Sequence, residues 1–163
     1  MLSIRYPEEQ ILIEIADSEI ASILPLLRRG LEEAGALEKE LHPLYDLRLP
    51  PIEPDPNLAG EPSERGFGLH LQVQRFVNLF NKLRSLDRTA ASREVLAWPR
   101  NDDPVFSRLL IWAAGLPDLF DPPNAAQIFV ESSDRVFWDF RQQRDLLLAM
   151  ASRWNELPPN ASG

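Results

Sequence analysis

The sequence predicts an all-α protein of six to eight helices, with an irregular helical-repeat array as one possible architecture. Three observations predict it. Apolar residues recur at three- and four-residue spacing along most of the chain, and Asp, Ser and Pro stand where helix starts need them. No segment carries the strict alternation or the turn dipeptide of a hairpin. The chain has 163 residues, 44% of them hydrophobic and 26% charged, which places it with globular chains of about one domain.

Each element follows from local chemistry. Pro7, Glu8 and Glu9 suit a first helical turn ahead of Ile11, Leu12, Ile13 and Ile15, because proline fits the start and acids favour the positive end of the helix dipole. Asp17 or Ser18 caps a second helix that carries Ile20, Ile23, Leu24, Leu27 and Leu31. Pro25 is expected to kink or split it, and Gly35 to stop it. A weaker stretch holds Leu37, Leu41, Leu44 and Tyr45, with Pro43 inside. Residues 49–63 contain Pro50, Pro51, Pro54, Pro56 and Pro62, and read as a connector of polyproline character; a proline-motif ligand for another domain is the sharper alternative.

Beyond residue 67 the helix signals are denser. Leu69, Val73, Phe76, Val77, Phe80 and Leu83 form one apolar stripe. Asp87 caps a helix with Ala90, Ala91, Val95, Leu96 and Trp98, ended by Pro99. Asp103 with Pro104 opens a helix bearing Val105, Phe106, Leu109, Leu110, Trp112 and Ala113, closed by Gly115 and Pro117. Asp121 with Pro122 opens the next, bearing Ala125, Ala126, Ile128, Phe129 and Val130. Ser132 or Ser133 caps a short helix with Val136, Phe137 and Trp138, and a last helix runs over residues 141–157 to Pro158. The expected organisation is acidic N-terminal helices over 1–48, a proline-rich linker over 49–66, an aromatic-rich helical domain over 67–158 and a tail over 159–163.

Composition excludes several chemistries. With no cysteine there is no disulfide, thiolate zinc site or cysteine nucleophile, and two histidines, His42 and His70, make a histidine-built metal site improbable on numbers alone. No apolar run reaches the ~20 residues of a membrane span. The first ten residues carry glutamates and no apolar core, so no signal peptide is expected and a cytoplasmic location is. The net charge of −8 argues against a general nucleic-acid surface. That charge is uneven: residues 1–66 hold 14 acids and 6 bases, and residues 67–163 hold 11 of each.

Motif searches find no glycine-rich dinucleotide or phosphate loop, no HExxH and no GxSxG. His70, between Leu69 and Leu71, reads as a packed helix histidine, and His42 as a helix-end residue. The acidic pairs Glu8/Glu9, Glu32/Glu33 and Asp102/Asp103 diverge on a helix or serve as caps. The run over 132–158 interleaves Asp134, Asp139 and Asp145 with Arg135, Arg141, Arg144 and Arg153, and with Phe137, Trp138, Phe140 and Trp154. A base-stacking face is one reading. Its balanced charge favours the other, inward aromatics with Arg–Asp pairs bridging helices, such as Arg141 with Asp145.

The string from Trp98 to Trp112 (Trp98-Pro-Arg-Asn-Asp-Asp-Pro-Val-Phe-Ser-Arg-Leu-Leu-Ile-Trp112), the Ser-Asp-Arg-Val-Phe-Trp-Asp segment at 133–139, Arg-Gln-Gln-Arg-Asp-Leu-Leu-Leu at 141–148 and Arg-Trp-Asn-Glu-Leu-Pro at 153–158 resemble a helical domain found toward the C-terminus of large bacterial proteins with an N-terminal sirtuin-like domain. HPLYDLRLPP at 42–51 and the ERGFGL at 64–69 extend the resemblance to about residues 40–158. It implies a prokaryotic defence context in which the sirtuin-like part consumes NAD and the helical part senses or scaffolds. It brings no catalytic residue to this chain.

The resulting expectation is a non-catalytic interaction or regulatory module, without cofactor, metal or small-molecule ligand, that binds a protein partner or a neighbouring domain and neither membrane nor nucleic acid. Its candidate anchors are Trp98, Phe106, Trp112, Phe137, Trp138, Arg141, Arg144, Asp145 and Trp154. Two alternatives stand beside it: a small metal-dependent hydrolase using converging acids, and an acidic nucleic-acid mimic built on the N-terminal part.

Overall fold

The computed structural model describes residues 15–41, 49, 51–53, 68–100, 103–132 and 140–156, with backbone alone at 140–142. Among these residues the protein is all-α, with six α-helices and no strand. After a single 3-10 turn at Asp17–Glu19 they are α1 (Ile20–Leu41), α2 (Leu69–Leu86), α3 (Arg88–Leu96), α4 (Phe106–Ala114), α5 (Pro122–Glu131) and α6 (Phe140–Ser152). The expected helix at residues 7–14 and the short one around Phe137 and Trp138 lie outside the described residues.

Three helix starts obey the caps read from sequence, whereas Asp17 and Ser18 lie inside the 3-10 turn, whose cap position is Ala16 with no side-chain bond. Asp87 ends α2, its amide bonding the Leu83 carbonyl at 2.7 Å, and begins α3, its carboxylate accepting from the Ala90 amide at 2.9 Å. Asp121 accepts from the Asn124 amide at 2.9 Å, with Pro122 at the first position of α5. Asp103 accepts from the Val105 and Phe106 amides at 2.9 and 2.8 Å. Each carboxylate satisfies amides that have no partner within the helix, worth about 1 kcal/mol per cap. Gly68 precedes α2 at φ 76°, a conformation that glycine alone adopts without a steric cost.

α1 is not split at Pro25, and it departs from expectation at Gly35, which does not stop it. It runs unbroken for 22 residues. Proline forfeits one amide bond, to the Ala21 carbonyl, but fully buried Ile20 and Leu24 hold that turn against the body. Gly35 is kept inside the helix for space. A Cβ there would lie 3.2 Å from Val105 Cγ2 and 3.3 Å from Pro104 Cγ, so the missing side chain lets α1 rest on the start of α4.

α1 packs on α2 and α3, α2 on α3, and α4 on both α5 and α6. The centre is an aromatic cluster. Trp98, just past the end of α3, stands 5.1 Å from Phe80, 5.6 Å from Phe106 and 5.8 Å from Phe76 between ring centroids, and Trp112 lies 6.0 Å from Phe80. These tilted and edge-on contacts add to the area buried. Ile20, Leu24 and Leu31 of α1, and Leu49 and Ile52 of the proline-rich segment, belong to the same core. The described parts of 1–48 and 49–66 are therefore continuous with the aromatic-rich domain. Residues 49–53, expected as a connector, are a docked element, because Leu49 and Ile52 are apolar and bury themselves as any such pair does when a groove is at hand.

Candidate functional site

α4 is apolar on nearly every side, and eight of its nine residues are buried. One of the eight is Arg108, only 2% exposed. A guanidinium cannot lose its charge, so burial demands partners. Asp145 of α6 supplies one: its Oδ2 accepts from Arg108 Nη2 at 2.8 Å, and the carboxylate is itself buried. The Leu49 carbonyl supplies another, accepting from Arg108 Nη1. Asp145 in turn accepts from the Ile52 amide, at 3.2 Å to Oδ1 and 3.4 Å to Oδ2. One residue back, Arg144 donates to the Glu53 carbonyl at 2.8 Å. One helical turn beyond Arg108, the Trp112 indole N–H donates to Glu53 Oε1 at 3.1 Å. Leu49 and residues 51–53 thus lie across α4 and α6, held by main-chain bonds from three side chains and by the Trp112–Glu53 side-chain bond.

Burial pushes the Asp145 carboxyl above the usual carboxylate range, against the pull of Arg108 and of its hydrogen bonds. His70 of α2 is buried beside this charge pair. Its imidazole is held below its ordinary value first by burial and then by the positive charge of Arg108, so it is neutral near pH 7. A second, partly buried pair joins α1 to α3: Arg28 Nη1 meets Glu94 Oε1 at 3.0 Å, and the Trp98 indole N–H faces the same carboxylate. Burial raises the Glu94 carboxyl as well. Arg153, 1% exposed, closes the far end of the α4–α6 seam. It donates to the Ala114 and Phe120 carbonyls at 3.1 and 2.7 Å and pairs with Glu156. Beside it the two backbones come close, since a Cβ on Gly115 would stand 2.9 Å from Ala149 Cα.

The candidate anchors divide into distinct groups. Trp98, Phe106 and Trp112 are core, and Trp112 also serves the clasp. Arg144 and Asp145 converge on residues 49–53. Asp145 does so paired with Arg108 across the α4–α6 interface; the pairing with Arg141 expected within one helix lies outside the described residues. Trp154 is 54% exposed and is no core anchor: it follows the last turn of α6, where Arg153 rather than the indole points inward. Phe137 and Trp138 lie outside the described residues, as does the side chain of Arg141. Sequence reading missed Arg108, Leu49 and Ile52. The available signal was Arg108 as the single charge between Val105 and Gly115, which asks for a buried counter-charge.

Both Asp145 oxygens and both Arg108 terminal nitrogens engage main chain or each other. A separate open groove of about 380 Å³ between α3 and α5 is lined by Ser92, Leu96, Arg100, Asp121, Asn124 and Glu131 among others. Its carboxylates are also engaged, Asp121 as a cap and Glu131 with the Gln127 amide at 2.7 Å. Among the described residues no group of three or more His, Asp or Glu side chains is placed to hold a metal ion, and no helix is long and apolar enough to cross a membrane. No family model, curated protein or solved structure matches the chain.

Proposed function

We propose that this chain is a non-catalytic helical interaction module, a part or remnant of a sirtuin-like prokaryotic defence protein, that acts in the cytoplasm by binding a protein partner or a neighbouring domain. The outward face of α6 carries the reading. Leu146, Ala149 and Arg153 turn inward, whereas Leu147, Leu148 and Ala151 turn outward. The face continues in Trp154, whose amide bonds the Ala151 carbonyl. Leu147 is 52% and Trp154 54% exposed. Single exposed apolar residues are ordinary, but leucines followed by a tryptophan on one helix face have the makeup of an interface centre.

The test places a photo-crosslinking residue at position 154, and at exposed Arg93 as a control, in the full chain expressed in its native host. A discrete adduct formed from position 154 and absent from position 93 supports the reading. Equal adducts from both positions, or none from either, overturn it.

A further inference from the structure

We propose that the surface of α4 and α6 beneath residues 49–53 is a binding groove for an extended segment of a partner protein, and that Leu49–Glu53 occupies it in cis as a releasable latch. The segment that fits has an apolar residue, a second apolar residue three positions later and an acid directly after it. This site is separate from the outward face of α6, so the fate of one proposal does not decide the other.

The mode of attachment carries the argument. Arg108, Asp145 and Arg144 bond the carbonyl of Leu49, the amide of Ile52 and the carbonyl of Glu53, groups that every peptide possesses. Specificity rests on two buried side chains, Leu49 and Ile52, and on the Trp112–Glu53 bond. In a polyproline-type chain, with three residues per turn, positions 49 and 52 fall on one side. The Pro50 and Pro51 between them carry no amide hydrogen to leave unbonded. Together these are the elements by which folded domains hold extended peptides: main-chain bonds for hold, spaced apolar anchors for choice.

Release is built into the same geometry. α1 and α2 pack directly on each other, so their union does not depend on the segment between them. Seven residues separate α1 from Leu49, and fourteen separate Glu53 from Gly68. Part of the floor of the groove is the Arg108–Asp145 ion pair, which regains hydration when uncovered and offsets some of the cost of exposing the apolar core on which Leu49 and Ile52 rest.

The experiment titrates a fluorescein-labelled peptide, Leu-Arg-Leu-Pro-Pro-Ile-Glu-Pro-Asp, onto the full chain and onto the full-chain Leu49→Ser/Ile52→Ser variant, followed by anisotropy. Saturable binding to the variant is expected, at least about tenfold tighter than to the wild type, whose own segment competes at high effective concentration. A peptide with serine at both apolar positions should not bind. No binding to a variant that keeps its helical circular dichroism and melting transition overturns the proposal. So does a concentration-dependent dimer of the wild type that the peptide dissolves, which would assign the groove to a second copy of the chain. Should the variant not fold, hydrogen exchange in the wild type decides. The Ile52 amide should exchange about a hundredfold faster than the central amides of α4, through local opening. Exchange of Ile52 only with global unfolding would make the segment a fixed part of the core and overturn the latch.

Discussion

The aromatic cluster and the polar seam are both buried, yet they hold the fold by opposite rules. Around Trp98, contacts are non-directional, each ring touches several others, and removing one leaves its neighbours with a void. Along α4 and α6, contacts are directional, and removing one partner leaves a charge without water or counter-ion. The lesson is that equal burial does not mean equal tolerance: the cluster responds to lost volume, the seam to lost pairing.

The largest expected effect tests the first rule. Trp98→Ala should cost about 3–5 kcal/mol in chemical denaturation, as large-to-small core substitutions do. A loss below about 1 kcal/mol would mean that the cluster repacks freely and that the contrast with the seam is wrong. The second rule is sharpened by a pair of variants. Arg108→Met alone strands Asp145 and should cost about 3 kcal/mol or more, whereas Arg108→Met with Asp145→Leu should recover much of that loss. If the double variant loses the sum of the two single variants, the seam behaves like the cluster.

Acidity separates the regions at smaller amplitude. The folded His70 lies below its ordinary 6.5, so the unfolded chain takes up this proton first. Its contribution to stability is present above 6.5 and is lost as pH falls through the folded pKa. Asp145 and Glu94 are raised in the folded state, so their effect has the opposite sign. The stability they contribute is full below the unfolded carboxylate value and is lost as pH rises through their folded pKa values. Melting curves of the wild type and His70→Leu should therefore diverge below pH 6.5, the variant losing less stability than the wild type as pH drops. An equal loss in the variant would place the titrating group elsewhere. The smallest effect lies far from both regions. A Cβ on Gly30 meets nothing within 4 Å, so Gly30→Ala should stabilise α1 by about 0.5–1 kcal/mol in thermal melts.

What the sequence revealed follows the range of the forces involved. Asp87, Asp103 and Asp121 were legible because a cap acts within three residues of its own position. The apolar stripe of α2 was legible because helix periodicity is local, and its members Val73, Phe76 and Phe80 are all buried. Gly35 read as a stop because its real constraint, the approach of Pro104 and Val105, comes from about seventy residues away. The clasp failed for the same reason. Arg108, the arginine that meets Asp145 between α4 and α6, sits 37 residues from it in sequence. Proline content argued rightly against a helix at 49–53. It could not convey that an extended segment with two apolar anchors can dock on helices and join their core.

The Arg108–Asp145 pair also has a consequence for descent. Neither position can change alone without stranding the other, so a lineage that drifts elsewhere must keep both residues or replace both together. In any relative of this chain, positions 108 and 145 should therefore vary as a unit, either as arginine with an acid or as two apolar residues of similar combined volume. That coupled signature would outlast similarity in the surrounding helices.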